Sequence, residues 1–154
     1  MKTKKLLLLM VSVFLSFAMR SQTGTALNFD GANDYVVAPD PNLGSSDFTI
    51  ETWMKPSALT VGDLASTRTN EFFANGNWWT IQFLNGGLTF ETAEAGLPAQ
   101  MVVATPSNII SLGNWHHIAV VRAGLTYSII VDDVVQGSGT DTGTRPLTTG
   151  NNTM

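Results

Sequence analysis

Asp30, Asn33 and Asp34 bring two carboxylates and an amide into five residues, and Gly31 lets the backbone bend sharply between them. Oxygen donors of this kind suit a hard cation such as calcium, which takes about six to eight of them. These three cannot fill that shell alone, and their spacing is not that of the helical calcium loop. Backbone carbonyls or distant residues would have to contribute. The same residues equally suit an Asx turn, in which Asp and Asn side chains accept bonds from nearby backbone amides.

A second group surrounds Trp78. Neighbours on a strand point to opposite faces, and Trp79 shares its face with Ile81 and Phe83, so Trp79 reads as core. Trp78, in company with Asn77, Thr80 and Gln82, has the makings of a sugar platform. Its flat apolar ring can stack on a pyranose while amides and hydroxyls take the sugar hydroxyls. The alternative is that Trp78 packs beneath the loop from Ser57 to Asn70. His116 and His117 also point to opposite faces, which prevents both from ligating one metal on a regular strand. They read as structural, and Arg122 reads as a strand end paired with an acidic neighbour. Glu91 and Glu94 are three apart and diverge on a strand, so they do not form the close carboxyl pair of a retaining glycosidase. Neither a Gly-x-Ser-x-Gly elbow nor a phosphate loop nor a zinc-type histidine pattern occurs.

The elements that must position these residues are strands. From Thr25 onward the apolar period is two, and the breaks are rich in Gly, Asn, Asp, Pro and Ser. Phe48, Ile50, Thr52 and Met54 fall on one face of a strand ended by Pro56. Trp78 to Phe83 and Leu88 to Phe90 flank Asn85-Gly86-Gly87, a hairpin signal. Tyr127 to Val131 and Val134-Val135 flank Asp132-Asp133, a second hairpin. Trp115 to Arg122 is a β-branched and aromatic run opened by a Gly113-Asn114 turn. Ala26 to Phe29, Tyr35 to Ala38, Glu71 to Ala74 and Met101 to Ala104 are shorter candidates, which gives about nine or ten strands. Ser57 to Asn70 and Thr92 to Gln100 read as loops. The pattern predicts an all-β, antiparallel sandwich or jelly roll of two sheets.

Composition narrows the function. Of 154 residues 44% are hydrophobic and none is cysteine, so the fold rests on its core rather than on disulfides. Residues 1–21 read as a secretory signal peptide, with Lys2, Lys4 and Lys5 ahead of an apolar run from Leu6 to Met19. That run would span about 21 Å as a helix, short of a hydrocarbon core of roughly 30 Å. The mature chain, 22–154, is therefore expected to be exported and not inserted in a membrane. After the first twenty residues four basic residues face twelve acidic ones, a net charge of −8. A body so acidic cannot neutralise phosphates, which excludes nucleic acid as a partner.

Three segments, Ala26-Leu27-Asn28-Phe29-Asp30-Gly31-Ala32-Asn33-Asp34-Tyr35-Val36, Phe48-Thr49-Ile50-Glu51-Thr52-Trp53-Met54-Lys55-Pro56 and Asn114-Trp115-His116-His117-Ile118-Ala119-Val120-Val121-Arg122, resemble the laminin G-like domains of the concanavalin A-like lectin and glucanase superfamily. The resemblance runs from about residue 25 to about residue 150. It implies a jelly-roll module of a secreted or surface protein that binds glycans or protein partners, often with calcium. Two departures stand out. Such domains usually carry Gly second in the hairpin that here reads Asp132-Asp133, so either Asp133 adopts a left-handed conformation at about 1 kcal/mol or the turn differs. They also normally continue beyond Leu147 to Met154 into closing strands, so the domain is expected to lack these. The superfamily's hydrolases carry Glu-x-Asp-x-x-Glu on one strand, and this chain does not. The expected function is noncatalytic: carbohydrate recognition, or alternatively a structural or protein-adhesion module of a larger surface protein. A glycoside hydrolase is the remaining alternative.

Overall fold

The computed structural model describes residues 24–32, 34–39, 41, 43–58, 61–66, 78–93 and 100–141. The chain divides into two compact units, Met1–Val36 and Val37–Met154. The second holds eight strands: β1 Phe48–Met54, β2 Gly62–Ser66, β3 Trp78–Leu84, β4 Gly87–Ala93, β5 Gln100–Ala104, β6 His116–Ala123, β7 Thr126–Val131 and β8 Val134–Thr140. They form two antiparallel sheets of order β1-β6-β7-β8 and β2-β3-β4-β5. This is the all-β, two-sheet sandwich that the periodicity predicts, with no helix among the described residues.

Turn chemistry sets the hairpins. Asn85 and Gly86 both have positive φ, 51° and 73°, between the paired residues Leu84 and Gly87. Two-residue loops of that hand match the twist of the flanking strands. Asp132 and Asp133 do the same between Val131 and Val134, with φ of 49° and 66°. The second hairpin thus takes the strained alternative, with two aspartates in a conformation that glycine adopts freely.

The core lies between the sheets. From one come Ile118, Val120, Tyr127, Ile129 and Val131, and from the other Trp79, Ile81, Phe83, Leu88, Phe90 and Val103, all buried. Phe48, Ile50 and Met54 pack partly against them from β1. These are the residues that alternation assigns inward.

Three expectations fail. Ala26 to Phe29 and Tyr35 to Ala38 are not strands, and Leu27, Phe29, Tyr35, Val36 and Val37 are exposed. Alternation makes a segment competent to pair, but a strand also needs a neighbour to take its backbone groups. Conversely β2 lies within the expected loop Ser57 to Asn70, held by its ladder to β3 despite lacking an alternating apolar pattern. Strand β6 starts at His116, so Trp115 belongs to the preceding turn. Glu71 to Ala74 and residues 1–21 lie outside the described residues.

Candidate functional sites

The outward face of β3 carries Trp78, Thr80 and Gln82. A rise of about 3.3 Å per residue places Trp78 and Gln82 roughly 13 Å apart, and both are partly exposed. The Gln82 amide Nε2 donates to Asp63 Oδ1 on β2 at 3.4 Å. Thr80, between them, is fully buried and its hydroxyl donates to the Ala65 carbonyl at 3.4 Å. Its hydroxyl is therefore committed within the fold, while the indole and the amide-carboxylate pair remain at the surface. Asn77 lies outside the described residues.

In the first unit, the Asp30 and Asp34 carboxylates meet around one turn. Asp30 Oδ1 accepts the Ala32 amide at 2.8 Å, and Asp34 Oδ2 accepts the Asp30 amide at 2.9 Å. Gly31, at φ 82°, supplies the bend. This is the Asx-type arrangement, with one oxygen of each carboxylate committed to backbone. Asn33 lies outside the described residues. Among the described residues no group of three His, Cys, Asp or Glu side chains converges. Asp30 and Asp34 by themselves do not fit a calcium shell.

The two histidines diverge as their parity requires, but each finds a carboxylate. His116 is buried, and its Nδ1 lies 2.7 Å from Asp132 Oδ2. Its Nε2 accepts the Ser111 amide at 3.1 Å and lies 2.9 Å from Ser111 Oγ. With the amide pointing at Nε2, the ring proton belongs on Nδ1, donated to Asp132. Asp132 Oδ1 accepts the His117 amide at 2.9 Å. Asn114 Nδ2 in turn donates to Ser111 Oγ at 3.0 Å.

Ser111, His116 and Asp132 have the separations of a hydrolytic triad, yet the chemistry does not follow. The Nε2 lone pair, which would have to take the Ser111 hydroxyl proton, already accepts the Ser111 amide. The group is a clamp that ties the loop before β6 to the β7–β8 turn, and its bonds explain how Asp132 tolerates a left-handed backbone. Sequence distance hides the partnership, since Asp132 is sixteen residues from His116. The available signal is the hairpin register: Ile118 faces Val131, which sets Asp132 beside His117.

The His116 hydrogen bond, and after it the His117 amide, hold the Asp132 carboxyl below the usual carboxylate range. A group lowered in the native state stabilises the fold above its unfolded value of about 3.9, and that contribution is lost as pH falls through the native value. Asp132→Asn keeps a residue tolerant of the turn while removing the charge. The gap in melting temperature between wild type and Asp132→Asn is expected to be widest near neutral pH and to close below about pH 4. A gap unchanged through an acid titration contradicts the clamp.

Arg122, expected to pair with an acid, instead donates to the Gly124 and Gly44 carbonyls at 2.9 and 3.2 Å and lies over the Tyr127 ring. His117 turns outward, its ring 5.1 Å from that of Trp53 and its Nε2 3.5 Å from Glu51 Oε2. No local sequence signal marks this outward trio, because β1 and β6 are far apart in the chain.

Comparison with known proteins follows the same lines. The laminin G model of the concanavalin A-like lectin/glucanases superfamily matches residues 30–154. A search of curated proteins gave no match. Among solved structures, a native heptameric SAP-like pentraxin from Limulus polyphemus is similar at 16% identity with a TM-score of 0.43. The similarity covers 70% of this chain and 50% of the pentraxin chain, so this chain spans about half the length of that relative.

Proposed function

The chain belongs to the laminin G-like domains of the concanavalin A-like lectin/glucanases superfamily, and from that premise we propose that it is a noncatalytic recognition module for carbohydrate. Domains of this kind are generally binding modules, although the superfamily also includes glycosidases. The observation that carries the reading is the outward face of β3, where a partly exposed indole stands on the same strand face as the Gln82–Asp63 pair. Trp78 stacks on a sugar ring, and Gln82, with Asn77 nearby in sequence, takes hydroxyl groups further along an oligosaccharide. The Ser111–His116–Asp132 group serves the fold. Calcium enters this reading only if oxygen ligands from elsewhere join Asp30, Asn33 and Asp34.

Laminin G-like domains are typically extracellular, and the cationic and apolar start of the chain supports export through residues 1–21. Among the described residues no helix is long and apolar enough to cross a membrane. The adhesion reading draws on β8, an edge strand among the described residues, whose Val134 and Val135 are exposed and could meet a partner's apolar surface.

Trp78→Ala is expected to weaken binding on a glycan array by about tenfold, the loss of one stacked ring, with an unchanged circular dichroism spectrum. A folded wild-type chain that binds no glycan defeats the proposal. Capture by a protein surface without glycan dependence favours adhesion.

A further inference from the structure

The opposite sheet carries an aromatic surface that the core does not use. Trp53 sits on β1 with 63% of its surface exposed. Strand register sets it directly across from His117 on β6, and the two rings meet at 5.1 Å and 42°. Glu51, two residues earlier on the same face, brings Oε2 to 3.5 Å from Nε2 of the imidazole, while 67% of its side chain remains exposed. The inward residues of the same strand, Phe48, Ile50 and Met54, already supply the contact with the core.

We infer that Trp53, Glu51 and His117 form a second carbohydrate site, for a neutral sugar ring, on the outward face of the β1–β6 pair. An indole offers a broad apolar face for the C–H side of a pyranose. A carboxylate accepts hydroxyl protons, and an imidazole can accept or donate. Packing against His117 restricts the indole, so less side-chain freedom is lost when a ligand arrives. Charge selects among sugars: Glu51 lies beside His117, and the chain after its first twenty residues has twelve acidic residues against four basic. Sialylated, sulfated and phosphorylated glycans are repelled by such a field. A quaternary ammonium is less suited, because its recognition uses a cage of several rings and would leave the imidazole's hydrogen-bonding capacity unused.

This site lies on a different sheet from Trp78, so single substitutions separate the two sites, while a folded chain that binds no neutral glycan overturns both. The test is a glycan array followed by titration calorimetry of the full chain with the neutral oligosaccharides that score, alongside 3′-sialyllactose, a heparin tetrasaccharide and choline. Trp53→Ala is expected to lower affinity at one class of site by about tenfold or more, and Glu51→Gln by a smaller factor, while Trp78→Ala leaves that class intact. Glu51→Gln keeps the indole, so it tests the site even if Trp53→Ala is poorly folded. Neutral-sugar binding unchanged in both variants overturns the inference, as does preference for the anionic probes or for choline. Concentration-dependent dimerisation that disappears in Trp53→Ala also overturns it, by assigning the face to a second copy of the chain. Loss of all binding in Trp78→Ala alone removes this site and leaves the first standing.

Discussion

Phe90→Ala is expected to lower the stability of the domain by about 3–5 kcal/mol, the range for emptying a fully buried aromatic site. Phe90 is 0% exposed. Its ring lies 5.4 Å from Tyr127, 6.2 Å from Phe48 and 6.3 Å from Trp79. Tyr127 and Phe48 come from one sheet and Phe90 and Trp79 from the other, so this ring bridges the layers. Removing it leaves a void lined by other aromatic rings, which cannot close without moving a strand. Against a typical domain stability of about 5–15 kcal/mol, the variant is at the limit of folding. Urea unfolding should show a lower midpoint with an unchanged slope. Phe90→Leu, which keeps most of the volume, should lose much less. A Phe90→Ala loss below about 1 kcal/mol would mean that the sheets do not meet at this ring.

Gly139→Ala should also destabilise the domain, although it adds a single carbon. A Cβ at Gly139 would overlap the Val102 carbonyl oxygen, and one at Gly137 the Ala104 carbonyl oxygen. Both obstacles are backbone of β5, which cannot swing aside as a flexible side chain would. The two glycines lie two apart on β8, so they share a face, and through them an edge strand of one sheet comes against an edge strand of the other. Overpacking costs about 1–3 kcal/mol and occasionally more. The reduced freedom of alanine in the unfolded chain offsets only about 0.4–1 kcal/mol. Gly62→Ala is the matched control, since nothing lies within 4 Å of a Cβ there and its φ is not positive. Its expected change is within about 0.5 kcal/mol. Equal thermal midpoints for the Gly139 and Gly62 variants would show that β8 and β5 do not approach this closely.

What could be read from the sequence follows the range of each signal. The inward set of Trp79, Ile81, Phe83, Ile118, Val120 and Ile129 is a property of single strands, since side-chain direction alternates whatever the partner. Asn85-Gly86 is likewise a local matter of backbone conformation, so its hairpin was legible. Asp132-Asp133 was legible as a turn, but its hand was not. The left-handed form is held by the bonds of Asp132 to His116 and to the His117 amide, which exist only once β6 and β7 are paired. Of the residues expected to bind a ligand, Trp78 and Gln82 share a face by parity alone, whereas the contact of Gln82 with Asp63 depends on the β2–β3 register. The outward trio of Glu51, Trp53 and His117 depends on the β1–β6 ladder, which joins residues more than sixty positions apart. The same limit explains why the alternating stretch from Ala26 to Phe29 is not a strand and the unpatterned Gly62–Ser66 is one. Alternation lives in one segment and can be read there, while pairing is a relation between two segments and is settled only when the chain has brought them together.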